Sequence, residues 1–401
     1  MKSRNISFSP PDITEAEVRE VAKALRSGWI TTGPKVKKFE REIAARIGAP
    51  QVVCLSSATA CLEAILRMLG IGPGDEVITT AYTYTASASV VCHVGATLRL
   101  VDTGPDSFEM DYDRLADAIN ERTKAVIPVE LGGVVCDYDR IFAAVESKQH
   151  LFRPGNDLQA AIGRVAVVAD AAHAAGAEWH GRPCGSIADF TSFSFHAVKN
   201  LTTAEGGALT WLDREGIDSD ALYKQFQLYS LHGQDKDAFA KSQLGSWEYD
   251  VIGPWYKCNM TDMAAGLGLA QLRRFRDLLA RRRQIVKTYD AALSGLPVQV
   301  LQHFGPDHTS GAHLYLTRLL GRTDAERRKV IVQMAQRGIA CNVHYKPLPM
   351  MTAYKALGFD IADYPNAFAQ YANEITLPLH TRLSDEDVSY VIENYVDIIT
   401  R

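Results

Sequence analysis

The sequence of 401 residues predicts an α/β protein, with a mostly parallel sheet covered by helices on both faces and a smaller α+β unit after it. Three observations lead there. From about residue 14 to 215, short apolar runs alternate with stretches of helical periodicity, as when strands and helices are taken in turn. A long amphipathic run then extends from Asp262 through roughly Leu293. The length also exceeds what one hydrophobic core usually holds, so a large domain with a smaller one is expected.

The strand candidates come in order. They are QVVCLSS at 51–57, DEVITT at 75–80, TLRLVD at 97–102, KAVIPVEL at 124–131, RVAVVAD at 164–170 and FTSFSF at 190–195. Each is short and apolar, as expected of strands buried on both faces. The run DMAAGLGLAQLRRFRDLLARRRQIVKTYDAAL carries basic residues on its solvated side and is expected to be a helix bridging to a second domain. Beyond residue 297, strand-like HLYLTRLL stands with the helical stretches AERRKVIVQMAQRG and SDEDVSYVIENYVDII. The expected division is therefore a large domain over 1–261, then the bridging helix and a small α+β domain over 262–401.

Composition narrows the function. With 43 basic and 47 acidic residues the net charge is -4, which gives no global electrostatic case for nucleic acid, so anionic ligands must be held locally. No stretch reaches the roughly 18 to 20 apolar residues of a membrane span, and MKSRNISFSPPDIT lacks the apolar core of a signal peptide. A cytoplasmic protein with no membrane partner is expected. The seven cysteines are scattered without a C-x-x-C pair, so neither a disulfide framework nor a metal site is indicated.

The chemistry concentrates between Val167 and Trp211. Asp170 ends an apolar strand, where polar groups of parallel sheets face the ligand crevice; its alternative reading is an N-cap for AAHAAGA. Lys199 follows 29 positions later, between FTSFSF and TTAEGG, whose paired glycines permit tight turns. No G-x-G-x-x-G follows the first strand, which argues against a dinucleotide-binding dehydrogenase.

The combination of strand-Asp, FSFH, Lys-Asn and Glu-Gly-Gly resembles the sugar aminotransferases of the DegT/DnrJ/EryC1/StrS family, within the aspartate-aminotransferase fold group. WITTGPKVKKFEREIA at 29–44, SSATACLEAIL at 56–66 and GDEVITTAYTYTAS at 74–87 extend the likeness. So do YKCNMTDMAAGLGLAQL at 256–272, NVHYKPLPM at 342–350 and ITLPLHTRLSDEDV at 375–388. Six such strings in the right order cover nearly the whole chain.

The resemblance implies a large domain of PLP fold type I and pyridoxal 5'-phosphate as cofactor, with pyridoxamine 5'-phosphate as its aminated form. Lys199 matches the lysine that forms a Schiff base with the cofactor aldehyde and then moves protons. Asp170 matches the carboxylate that keeps the pyridine nitrogen protonated. Ala58 and Thr59, in the turn Ser57-Ala58-Thr59-Ala60, fall at the cofactor-phosphate loop, and Ser194 at its second hydroxyl ligand. Tyr84 falls at the aromatic position that covers one ring face, with Tyr82 as neighbouring alternative. His173 matches a position that contacts the ring's phenolic oxygen. Asn259 resembles the asparagine reaching the cofactor phosphate of a neighbouring subunit, which implies a homodimer with shared sites.

One departure stands out: Pro128-Val129-Glu130-Leu131-Gly132-Gly133 replaces the more usual P-V-H-L-Y-G, so borrowed substrate contacts at Glu130 and Gly132 are in doubt. The implied reaction takes an amine from an amino acid, by family habit L-glutamate, to a nucleotide-linked keto sugar. Resemblance points to carbon 4 of a UDP-4-keto-6-deoxy sugar, for amino-sugar and surface-polysaccharide biosynthesis, with His344, Tyr345 and Lys346 as candidates to meet the diphosphate. The competing readings are a sugar dehydratase of the same family, against which the retained lysine argues, a cyclitol aminotransferase, and a regulator without catalysis.

Overall fold

The computed structural model describes residues 4–236 and 247–401. A seven-stranded sheet is built from β1 (Val52–Leu55), β2 (Glu76–Thr80), β3 (Thr97–Val101), β4 (Thr123–Ile127), β5 (Ala166–Asp170), β8 (Phe190–Ser194) and β9 (Gly207–Trp211), with a short ribbon of β6 (Glu178–Trp179) and β7 (Arg182–Pro183) between β5 and β8. Its order is β1-β9-β8-β5-β4-β2-β3. The pairs from β3 to β8 are parallel, and β9 runs antiparallel between β1 and β8. The expected α/β class is thus the one the chain adopts.

Six of the seven strands coincide with the apolar runs read from sequence. The seventh, GALTW, was absent from that reading because Gly206-Gly207 looks like a turn. Both faces of the sheet are buried. Val167 and Ala169 face one core with Phe39, Phe193 and Leu269, while Val168 faces the other with Leu209, Trp211 and Phe226. That two-sided burial is why the strands read as continuous apolar runs.

The helices begin where local chemistry allows. Thr14 and Glu17 form a capping box for Glu15–Arg26, Pro34 opens Pro34–Ile47, and the Ser57 hydroxyl caps Ala58–Met68 by accepting from the Ala60 amide at 3.0 Å. The helix Asp262–Leu293 has the bounds expected for the bridge. Its first half packs Ala265, Leu269, Leu272 and Phe275 against the large sheet. Its second half packs Ile285, Val286, Tyr289 and Leu293 into a separate core with a three-stranded antiparallel sheet. That sheet comprises β10 (Val298–Val300), β12 (Tyr315–Leu319) and β13 (Glu374–Leu377), while β11 (His308–Thr309) joins the ribbon of β6 and β7. Helices Asp324–Gln336 and Asp385–Thr400 complete the C-terminal part.

Candidate active site

At the carboxyl ends of the parallel strands lies a cavity of about 560 Å³, where open α/β sheets hold ligands. Asn342, His344, Tyr345 and His313–Leu314 form its opposite wall. Seven residues singled out in the sequence line it: Ala58, Thr59, Tyr84, Asp170, His173, Ser194 and Lys199. The eighth, Asn259, does not. It is half-buried behind β1, bridged to Leu55, and donates to the Thr32 hydroxyl.

Asp170 is buried at the end of β5 and accepts from the Ser87 hydroxyl at 2.6 Å and the Ala172 amide at 3.2 Å. Burial pushes its carboxyl up, opposed by those two hydrogen bonds and by the charge of Lys199. Burial also pulls the Lys199 ammonium down to about 8, against Asp170, which favours the cation. A lysine so placed is partly neutral near physiological pH and can accept as well as give a proton. Ser87 carried no sequence signal. It lies in the first turn of helix Ala86–His93, from which its hydroxyl reaches Asp170 across 83 residues of sequence.

The second wall is an anion cradle. Helix Ala58–Met68 points its amino end into the cavity, with Ser57, Thr59 and Ser194 around it. Gly207 pairs with Leu55 on one side and Ser194 on the other. A Cβ there would lie 2.5 Å from the Ala58 nitrogen and 2.7 Å from the Ser57 oxygen, so only glycine lets β9 lie this close under the loop.

His173 follows β5 in a turn. Its Nδ1 accepts the Gly132 amide at 3.2 Å, and its Nε2 lies 3.2 Å from the Tyr345 hydroxyl. The His313 ring packs on it at 4.5 Å between centroids. Burial, with Lys199 and His344 nearby, holds His173 well below its usual pKa. Of the two tyrosines weighed for the ring platform, Tyr82 is wholly buried and donates to the His344 carbonyl, whereas Tyr84 is 60% exposed and lines the cavity. Tyr84 stands beyond the end of β2, in the loop before helix Ala86–His93.

One expectation is revised. His344 and Tyr345 line the cavity but Lys346 is outside its lining, and burial pulls His344 down to about 3, so this wall offers a neutral imidazole and not a cation for a diphosphate. The Glu130 carboxylate turns into the core, accepting from Tyr138 at 2.5 Å and from the Cys184 thiol at 3.0 Å; burial raises it to about 7.

Comparison with known proteins agrees with this geometry. The DegT/DnrJ/EryC1/StrS aminotransferase family model matches residues 11–396. The spore coat polysaccharide biosynthesis protein SpsC of Bacillus subtilis (strain 168) is 38% identical over 98% of this chain and 97% of its own. Spr1654 of Streptococcus pneumoniae, designated a sugar aminotransferase and solved in its PMP form, superposes with a TM-score of 0.97 at 58% identity, covering 99% of both chains. Its PLP form gives 0.96 at 56%, again over 99% of each. Helicobacter pylori PseC, an aminotransferase of pseudoaminic acid biosynthesis, gives 0.86 at 26%, covering 99% of this chain and all of its own. Fold and site define an aminotransferase. The chain belongs to the DegT/DnrJ/EryC1/StrS aminotransferase family.

The residues present fit pyridoxal phosphate: an anion cradle at a helix start, a buried carboxylate 29 residues before a lysine of lowered pKa, and an exposed aromatic share one cavity.

Proposed function

We propose that the chain is a pyridoxal-phosphate-dependent sugar aminotransferase that moves the amine of an amino acid, L-glutamate, to carbon 4 of a UDP-4-keto-6-deoxy sugar. The observation that carries it is the meeting of Lys199 and Asp170 in one cavity with the amino end of helix Ala58–Met68. When bound, the cofactor supplies a carbonyl for the amine to enter and a cationic ring that takes up electrons. Asp170, whose ionised form Ser87 and the Ala172 amide favour, would face the ring nitrogen and favour its protonated form. Ser57, Ala58, Thr59 and Ser194 hold the phosphate through hydroxyls and backbone amides. Tyr84, which lines the cavity, would cover one ring face.

Lys199 is the cofactor lysine. Its amine takes a proton from the donor's α-carbon and, in the sugar half of the reaction, returns one at the carbon that receives nitrogen. The lowered pKa suits both directions. Asn259 acts across a symmetric pair, completing the phosphate site of a second copy, which accounts for its place outside the cavity of its own chain. Among the described residues no helix is long and apolar enough to cross a membrane. We place the enzyme in the cytoplasm, in amino-sugar synthesis for a surface polysaccharide.

Incubation of purified protein with L-glutamate and a panel of nucleotide-linked keto sugars, followed by mass analysis, tests the reading. An amino sugar from a UDP-4-keto substrate is the expected product. Amination only of a cyclitol ketone, or loss of water from the sugar without nitrogen gain, would replace it.

A further inference from the structure

The turn that departs from the family pattern carries a positioning group. Gly132 has φ of +66° inside the turn Leu131–Gly133, and a Cβ on it would fall 2.4 Å from the Leu301 side chain. Its carbonyl accepts from the His313 and Leu314 amides at 2.9 and 3.1 Å, and Gly133 accepts from Gly311 at 2.8 Å. The turn is therefore clamped to the wall opposite the sheet. So fixed, the Gly132 N–H points at His173 Nδ1.

A backbone amide can only donate, so Nδ1 must present its lone pair. A neutral imidazole then carries its proton on Nε2, directed at the Tyr345 oxygen on the cavity wall. We propose that the Gly132 amide locks His173 as the Nε2–H tautomer, so that the ring offers the cavity one hydrogen-bond donor and neither an acceptor nor a charge. The proposal rests on reading this cavity as the active site. A ligand oxygen, phenolate or carbonyl, would share that donor with the Tyr345 oxygen, whereas an ammonium would find no acceptor on the ring.

The groups facing the ring reinforce the lock. Lys199 and His344 oppose a second proton on His173, and His313, packed against it, has its own Nδ1 3.1 Å from Asn200 Oδ1, whose amide in turn is held on Gly311. Burial keeps the Tyr345 phenol protonated, so its oxygen can accept from Nε2 while its hydrogen turns elsewhere. A protonated His173 would lose the Gly132 bond altogether, because both ring nitrogens would then be donors.

Ring-nitrogen NMR of protein labelled with ¹⁵N-histidine tests the lock without requiring turnover, with His173 assigned by its loss in His173→Gln. The expected spectrum has a bare Nδ1 and a protonated Nε2, unchanged from about pH 5 to 8. A protonated Nδ1, or a ring that gains its second proton inside that window, overturns the proposal. A second arm asks whether the lock matters. Gln can accept from Gly132 through its carbonyl and donate through its amide, so His173→Gln should keep turnover within about fivefold, while His173→Leu should lose tenfold or more. Equal turnover in the Gln and Leu variants also overturns the proposal. If wild-type protein aminates no sugar yet shows the expected ring signature, the lock stands and the proposed substrate falls.

Discussion

Gly207→Ala perturbs the cofactor cradle from beneath, at a residue that does not itself line the cavity but presses on the Ser57–Ala58 backbone. The added methyl would stand 2.5 Å from the Ala58 nitrogen and the Ser57 carbonyl carbon, and 2.7 Å from the Ser57 oxygen, all of them backbone atoms. Backbone cannot swing aside as a side chain does. To regain an ordinary separation of roughly 3.5 Å, β9 and the loop must part by about 1 Å. Overpacking of this kind costs about 1 to 3 kcal/mol. Because the loop itself must move, much of that cost should appear as weaker cofactor binding, about 5- to 150-fold in Kd. Titration of apo protein with pyridoxal phosphate, followed by absorbance, measures it. Gly72→Ala is the control, since its Cβ would meet only the Val94 oxygen, at an ordinary 3.7 Å. A Kd for Gly207→Ala within twofold of wild type, with the strand intact by circular dichroism, would refute the placement of the phosphate at Ser57–Thr59.

Other outcomes follow from the same geometry. Ser87→Ala removes the 2.6 Å hydrogen bond to Asp170 and should lower kcat about tenfold with cofactor still bound, while Ser87→Thr, which keeps a hydroxyl, should lose less. Glu130 has its folded pKa raised from 4.5 to about 7, so it contributes stability that is fully present below pH 4.5 and lost as pH rises through about 7. Chemical denaturation of apo Glu130→Gln should therefore show the variant gaining on wild type between pH 5 and 8, by at most about 3 kcal/mol; a pH-independent difference would contradict this. Asn259→Ala should weaken cofactor binding by roughly 1 to 3 kcal/mol, and mixing it with Lys199→Ala subunits should restore activity in heterodimers carrying one intact site. Parents that stay inactive after verified subunit exchange would show that each site is built within one chain.

Six strands of the large sheet, the bridging helix and seven of the eight candidate site residues were legible because local signals coincide with tertiary ones. Asp170 ends an apolar run that is itself β5, and the Ser57 cap opens the helix that faces the cavity. β9 was hidden for a physical reason. Gly207, its first residue, serves close approach to another backbone, whereas glycine pairs in sequence read as turns. Ser87, His313 and the Gly132 amide were equally silent, because each acts through a partner at least 41 residues away. His344 looked like a cation for a diphosphate until Phe8 stacked on its ring and burial removed the charge. Charge in a folded site depends on solvation, and no spacing of residues reveals it.

The central claim is that Lys199 is the lysine that engages the cofactor. Borohydride treatment of the purified holoprotein, proteolysis and mass mapping of the fixed cofactor test it directly. The account predicts a pyridoxyl adduct on Lys199, absent from Lys199→Ala. An adduct on any other lysine, or none from protein that shows cofactor absorbance, would contradict it.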